Sequence, residues 1–203
     1  MTKKIFFVFT IFTFTLVSHI QSQVPEKAED ISPLLIGEKI PEAKLTDADG
    51  NEVELNQIIK EKPTVLVFYR GGWCFYCNNQ LSGLAEIESE IIALGYQIVA
   101  ISPDNYQNIK PTMEADKVAY QVLSDSKGQL IKDMGIGFKT PEKVHKYIFE
   151  NTNKEATDVI PVPTVLVVDT SGGILFEYIN PNYDVRLSPK LLLANLEVLK
   201  LEF

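Results

Sequence analysis

Thr64-Val65-Leu66-Val67-Phe68-Tyr69-Arg70-Gly71-Gly72-Trp73-Cys74-Phe75-Tyr76-Cys77 opens as a continuous apolar run, passes through a glycine pair and ends on the only two cysteines of the chain, spaced C-x-x-C. An apolar run of this length reads as a strand buried on both faces. Beyond it Cys77, Leu81, Leu84, Ile87, Ile91 and Leu94 recur at three- and four-residue spacing, which predicts a helix from about Phe75 to Leu94 that stops at Gly95. Cys74 is thereby placed at or near a helix N-terminus, where unpaired N–H groups and the positive end of the helix dipole favour a thiolate. Cβ atoms three residues apart on one turn lie about 5–6 Å from each other, so a reversible Cys74–Cys77 disulfide is geometrically accessible. Two blander roles compete with redox chemistry. A structural disulfide here would close a very short ring and remove little unfolded-state entropy. A zinc half-site would need two more ligands, and His19 and His145 are the only histidines. No metal or other cofactor is expected, and redox chemistry leads.

Working outward, Gln97–Ser102 reads as a second buried strand, which makes strand, helix and strand a right-handed βαβ unit. Pro103-Asp104-Asn105 starts a helix to about Lys117, Ala119–Leu123 a short strand, and Asp125-Ser126-Lys127-Gly128 a turn into a helix ending at Met134. Pro141–Asn151 is a further helix on which His145 reads as a surface residue. Val165–Asp169 is a third apolar strand, Ile174–Ile179 its antiparallel partner, and Ser188 with Pro189 caps a terminal helix to about Leu201. Ahead of the cysteine segment, Leu34–Leu55 forms a hairpin turning at Asp47-Ala48-Asp49-Gly50-Asn51.

With 203 residues, 45% of them hydrophobic and 23% charged, the chain fits one domain with a full core. A net charge of -8 argues against nucleic acid or an anionic membrane surface as partner. Lys3 and Lys4 precede an apolar run, Ile5 to Val17, that is short for a membrane span and reads as a secretory signal cleaved after Ser22. The expected organisation is a signal peptide at 1–22, a polar linker at 23–33 and one domain at 34–203. The expected location is periplasmic or secreted, without stable membrane insertion after cleavage; the alternative is anchorage by an uncleaved N-terminus. Outside the cytoplasm disulfides persist, so a reductant must be supplied.

The βαβ and ββα halves, with C-x-x-C after the first strand and Pro163-Thr164 before the third, resemble the thioredoxin fold. That resemblance implies an α/β thioredoxin-like architecture, a mixed central sheet flanked by helices, with the N-terminal hairpin as an extension. It implies a cis Val162–Pro163 bond beside the cysteines whose backbone receives a substrate chain. Phe68-Tyr69-Arg70-Gly71-Gly72-Trp73-Cys74, Pro161-Val162-Pro163 and Asn180-Pro181-Asn182-Tyr183-Asp184-Val185-Arg186 resemble the peroxiredoxin-like branch of the alkyl hydroperoxide reductase/thiol-specific antioxidant (AhpC/TSA) family.

This second resemblance implies a thiol peroxidase acting on hydrogen peroxide or organic hydroperoxides. Cys74 becomes a sulfenic acid, Cys77 condenses with it, and a thioredoxin-like dithiol resets the pair. The Thr or Ser usual three residues before the reactive cysteine is Gly71 here, and the Pro usual seven before is Val67. Peroxide binding is therefore expected from N–H groups at Gly72 to Cys74 and from Arg70 or Arg186, the only arginines, with Trp73, Val162 and Pro163 completing the site. Trp-Cys-x-x-Cys also resembles thioredoxins, which implies an alternative activity, thiol–disulfide exchange on exported proteins.

Overall fold

The computed structural model describes residues 24–152 and 156–200, and the expected signal peptide lies outside the described residues. Every residue of β3 (Thr64–Phe68) is buried, so the strand needs neighbours on both edges and a layer on both faces. It has them. It runs parallel to β4 (Gln97–Ser102) and antiparallel to β8 (Thr164–Val168). Beyond these, β5 (Gln121–Ser124) is parallel to β4 and β9 (Ile174–Ile179) antiparallel to β8. The hairpin of β1 (Lys44–Thr46) and β2 (Glu52–Glu54) extends the far edge, giving a seven-stranded mixed sheet ordered β2-β1-β5-β4-β3-β8-β9. Its turn closes as the sequence predicts: Asp47 Oδ1 accepts from the Asp49 and Asn51 N–H groups at 2.9 and 2.8 Å, and Gly50 adopts φ +89°.

Strand alternation sorts the side chains into two cores. Val65, Val67 and Tyr69 join Cys77, Leu81 and Leu84 of α2 (Phe75–Glu86), Ile91 of α3 (Glu88–Ala93), Ile109 of α4 (Ile109–Asp116), and Leu192 and Leu196 of α7 (Pro189–Leu199). Leu66 and Phe68 face the other way, onto Leu55 and Ile59 of α1 (Leu55–Glu61) and Leu130 and Ile131 of α5 (Gln129–Asp133). Each such side chain contributes about 1.5–3 kcal/mol on full burial, so a charge in β3 on either face would be costly.

Four details depart from expectation. The helix predicted from Phe75 to Leu94 breaks at Ile87, whose dihedrals (φ -108°, ψ 7°) are not helical and whose N–H turns back to the Leu84 carbonyl. Residues 56–61, given no element from sequence, belong to α1, which buries Leu55 and Ile59 and packs Ile58 beside them. A two-stranded arm of β6 (Gly137–Lys139) and β7 (Val159–Pro161) flanks α6 (Glu142–Asn151). Residues 24–33, expected as a linker, lie along the domain as a strap: Lys139 N–H donates to the Pro25 carbonyl, and Ala28 and Ile31 pack against Phe138, Ile148, Ile160 and Val162.

Candidate active site

Strands β3 and β4 are parallel, so their C-terminal ends emerge on one edge of the sheet, where α/β folds place their sites. Gly71 (φ +139°) turns the chain leaving β3, and Cys74 becomes the N-cap of α2 with its carbonyl accepting from the Cys77 and Asn78 N–H groups at 2.9 and 3.1 Å. Both cysteines are free thiols; Cys74 is 4% exposed and Cys77 fully buried. Arg186, arriving from the loop before α7, brings Nη2 to 3.6 Å from Cys77 Sγ and 4.0 Å from Cys74 Sγ, while Nη1 meets Gln80 Oε1 at 3.3 Å.

The two sulfurs divide into a thiolate and a thiol. The Cys77 thiol donates to Cys74, and with the charges of Arg70 and Arg186 it outweighs burial and holds Cys74 at about 6, well below an ordinary thiol. Burial, and then the negative partner beside it, push Cys77 well up. Among the described residues no carboxylate pairs with either arginine. Both positive charges therefore remain available to the sulfur and to whatever approaches it.

The glycines are required by what crowds them. A Cβ on Gly71 would sit 2.4 Å from Trp73 Nε1 and 2.6 Å from Asp104 Oδ1, and one on Gly72 only 1.9 Å from Thr112 Oγ1. Gly72 is pinned from both sides: its N–H donates to Asp104 Oδ2 at 2.7 Å, and its carbonyl accepts from Asn78 Nδ2 at 2.9 Å. Burial raises the Asp104 carboxyl to about 6, against the Gly72 bond that lowers it, with the Cys74 charge adding to the rise. Asp104, Asn78 and Thr112 were not singled out from sequence. The available signal was the position of Asp104, two residues beyond β4 and level with the cysteine turn, where a strand-end acid has a site to serve.

Several expected donors prove to be engaged within the protein. The Gly72 N–H is taken by Asp104 and that of Cys74 by the Gly71 carbonyl, so neither is free to orient a peroxide. The Val162–Pro163 bond is trans, since no described peptide bond is cis. The Val162 N–H donates to the Ile136 carbonyl at 2.8 Å, the Val162 carbonyl accepts from Thr164 Oγ1 at 2.9 Å, and the Pro163 carbonyl from the Asn180 N–H at 3.2 Å. The segment leading into the β6–β7 arm thus occupies the backbone edge expected to receive a substrate chain. Val162 is fully buried, and Trp73 links its cluster to the site by packing against both that cluster and the cysteine core. Arg70, Trp73 and Gly72 do gather with Cys74, Cys77 and Arg186. The Arg70 guanidinium lies 4.9 Å from the Trp73 ring centre and 4.5 Å from that of Tyr183, a residue whose part in the site was also missed. Pro163 lines a cavity beside Arg70.

The architecture is that of thioredoxin-fold peroxiredoxins. Reduced Prx3 of Vibrio vulnificus, solved in complex with hydrogen peroxide, superposes with a TM-score of 0.68 at 17% identity, over 80% of this chain and 99% of that one. Peroxidoxin BcpB of Mycobacterium tuberculosis gives 0.64 at 19% identity over 82% and 96%. Residues 36–176 match the AhpC/TSA family, and the chain belongs to that family. Among curated relatives, peroxiredoxin bcp1 of Schizosaccharomyces pombe is 28% identical over 155 residues, 74% of this chain and 80% of the relative.

Proposed function

We propose that the protein is a thiol-dependent peroxidase for hydrogen peroxide or organic hydroperoxides. One observation carries this reading: the Cys74 sulfur sits at a helix N-terminus, receives the Cys77 thiol hydrogen and lies 4.0 Å from the Arg186 guanidinium, with which no carboxylate pairs among the described residues. The Cys74 thiolate attacks the terminal peroxide oxygen and the O–O bond breaks. The departing alkoxide or hydroxide takes up a proton as alcohol or water, and Cys74 is left as sulfenic acid. Arg186 faces the negative charge that moves from sulfur to oxygen in that step. Cys77 then loses its proton and attacks the Cys74 sulfur; an S–S bond forms, the S–O bond breaks, and water leaves. A thioredoxin-like dithiol returns two electrons by exchange. Membership of the AhpC/TSA family and the peroxiredoxin name of the yeast relative support the assignment.

Thiol–disulfide exchange on proteins keeps Cys74 as the attacking sulfur but needs a free backbone edge for the substrate chain, and the Val162 N–H is committed to Ile136. Stopped-flow oxidation of the reduced protein by hydrogen peroxide, set against its rate with a model protein disulfide, is the test. Faster reaction with the protein disulfide reverses the assignment. The setting proposed is outside the cytoplasm, with residues 1–22 removed. Sequencing the N-terminus of the native protein should give Gln23, and an intact Met1 in a membrane fraction indicates an anchor instead.

A further inference from the structure

Arg70 is 93% buried, being 7% exposed, its Nε has no hydrogen-bond partner, and among the described residues no carboxylate neutralises it. A guanidinium removed from water without a counter-ion is unfavourable unless a ligand supplies one. Its guanidinium carbon lies over two aromatic rings, Trp73 and Tyr183, contacts that hold the group in place and leave Nε without a partner. The group lines a cavity of about 310 Å³ whose walls are otherwise largely apolar: Phe138, Val144, Pro163 and Pro181. That volume is at the lower end of the range of about 300–1,000 Å³ usual for small-molecule sites. The acidic residues at the cavity, Glu26 and Glu29, lie on the strap; Glu26 is tied to Lys139, and Lys27 lines the cavity beside them. Arg70 joins the cavity to the reactive cysteine: its guanidinium faces Trp73, the chain neighbour of Cys74, and its charge favours the Cys74 thiolate.

We infer that this cavity is a carboxylate subsite, in which Arg70 binds the acid group of a small organic acid whose apolar chain lies along Phe138, Val144 and Pro163. The inference rests on the peroxidase reading for its consequence, that the preferred substrate is a carboxylate-bearing organic hydroperoxide. The binding itself is separable from that reading.

Trp73 is the only tryptophan and touches Arg70, so it reports occupancy directly. Octanoate titrated into the reduced protein should change Trp73 emission saturably and bind at least about tenfold more tightly than methyl octanoate, because charge-assisted hydrogen bonds are lost in the ester. Arg70→Gln should abolish that preference. Should this variant fold poorly, the acid-versus-ester comparison on the unaltered protein decides alone. A medium-chain fatty-acid hydroperoxide should then surpass its methyl ester in kcat/KM by a similar factor. Equal binding of acid and ester overturns the subsite even if hydrogen peroxide is turned over. Octanoate binding in a protein inert to every peroxide leaves the subsite standing and removes the peroxidase assignment.

Discussion

Asp104 and Cys74 oppose each other across the Gly71–Gly72 turn, one a carboxyl that burial keeps protonated to about pH 6, the other a sulfur that its surroundings keep ionised down to about pH 6. The native state thus holds the Asp104 proton longer than the unfolded chain does, whose carboxyl titrates near 3.8. Stability falls as pH rises from about 4 to about 6, and a penalty on the order of 2–3 kcal/mol persists above that window. Asp104→Asn, whose amide oxygen can still accept from Gly72, should match the parent at pH 4 and exceed it by about 1–2 kcal/mol at pH 7 in urea unfolding. It should also lower the Cys74 titration midpoint read by thiolate absorbance, because a negative neighbour is gone. An unchanged midpoint would mean that the two groups do not sense each other. The cysteines themselves should fail differently. Cys74→Ser should abolish peroxide consumption, whereas Cys77→Ser should react once and accumulate dimedone-reactive sulfenic acid. By mass spectrometry, equal labelling of both variants would remove the division of roles, and labelling only when Cys74 is absent would reverse it.

At the scale of elements, the strap of residues 24–34 shows how attachment escapes composition. It is held by backbone: Lys139 N–H to the Pro25 carbonyl, and Leu34 N–H to the Met134 carbonyl at 3.1 Å. Gly135 (φ +67°) makes the second contact possible, since a Cβ there would lie 2.0 Å from the Ser32 carbonyl oxygen. Gly135→Ala should therefore cost about 1–3 kcal/mol through left-handed strain and overpacking. It should also speed proteolysis within residues 24–33 and weaken octanoate binding, because Lys27 and Ala28 line the Arg70 cavity. Parent-like Tm and protease resistance would show that the strap is dispensable. The same physics explains what the sequence disclosed. β3, β4 and β8 are long apolar runs whose burial on both faces is written in their side chains. β6 and β7 have three residues each, too few for a period to show. The cysteine pair was legible from residue type and spacing, and Arg186 from its scarcity. The commitment of Val162 to Ile136 was not, because it pairs backbone groups that any sequence carries.

For the whole molecule, both arginines of a chain with net charge -8 are gathered at one edge of the sheet, at the sulfurs. This concentration makes the site electropositive within an acidic protein, and it ties global stability to the redox state. In the reduced form Cys74 has its folded value near 6 and an ordinary value near 9 when unfolded. A depressed acid stabilises the fold fully above the unfolded value, and that stabilisation is lost as pH falls towards the folded one. The thiolate contribution is roughly 2.5 kcal/mol at pH 8, roughly 1.5 at pH 7 and near zero at pH 5. Cys77, raised rather than lowered, stays neutral in the native state across this range. The disulfide form has no thiolate, and what little it gains from closing so short a ring is independent of pH. Subtracting the stability of the oxidised from that of the reduced protein therefore cancels the titrating groups that do not sense Cys74 and leaves a slope. The difference should rise by about 2.5 kcal/mol between pH 5 and pH 8 in paired urea titrations, and in Arg186→Gln the rise should shrink because the guanidinium no longer favours the thiolate. A flat difference would mean that Cys74 is not depressed in the folded protein, and the peroxidase mechanism would then lack its nucleophile at neutral pH.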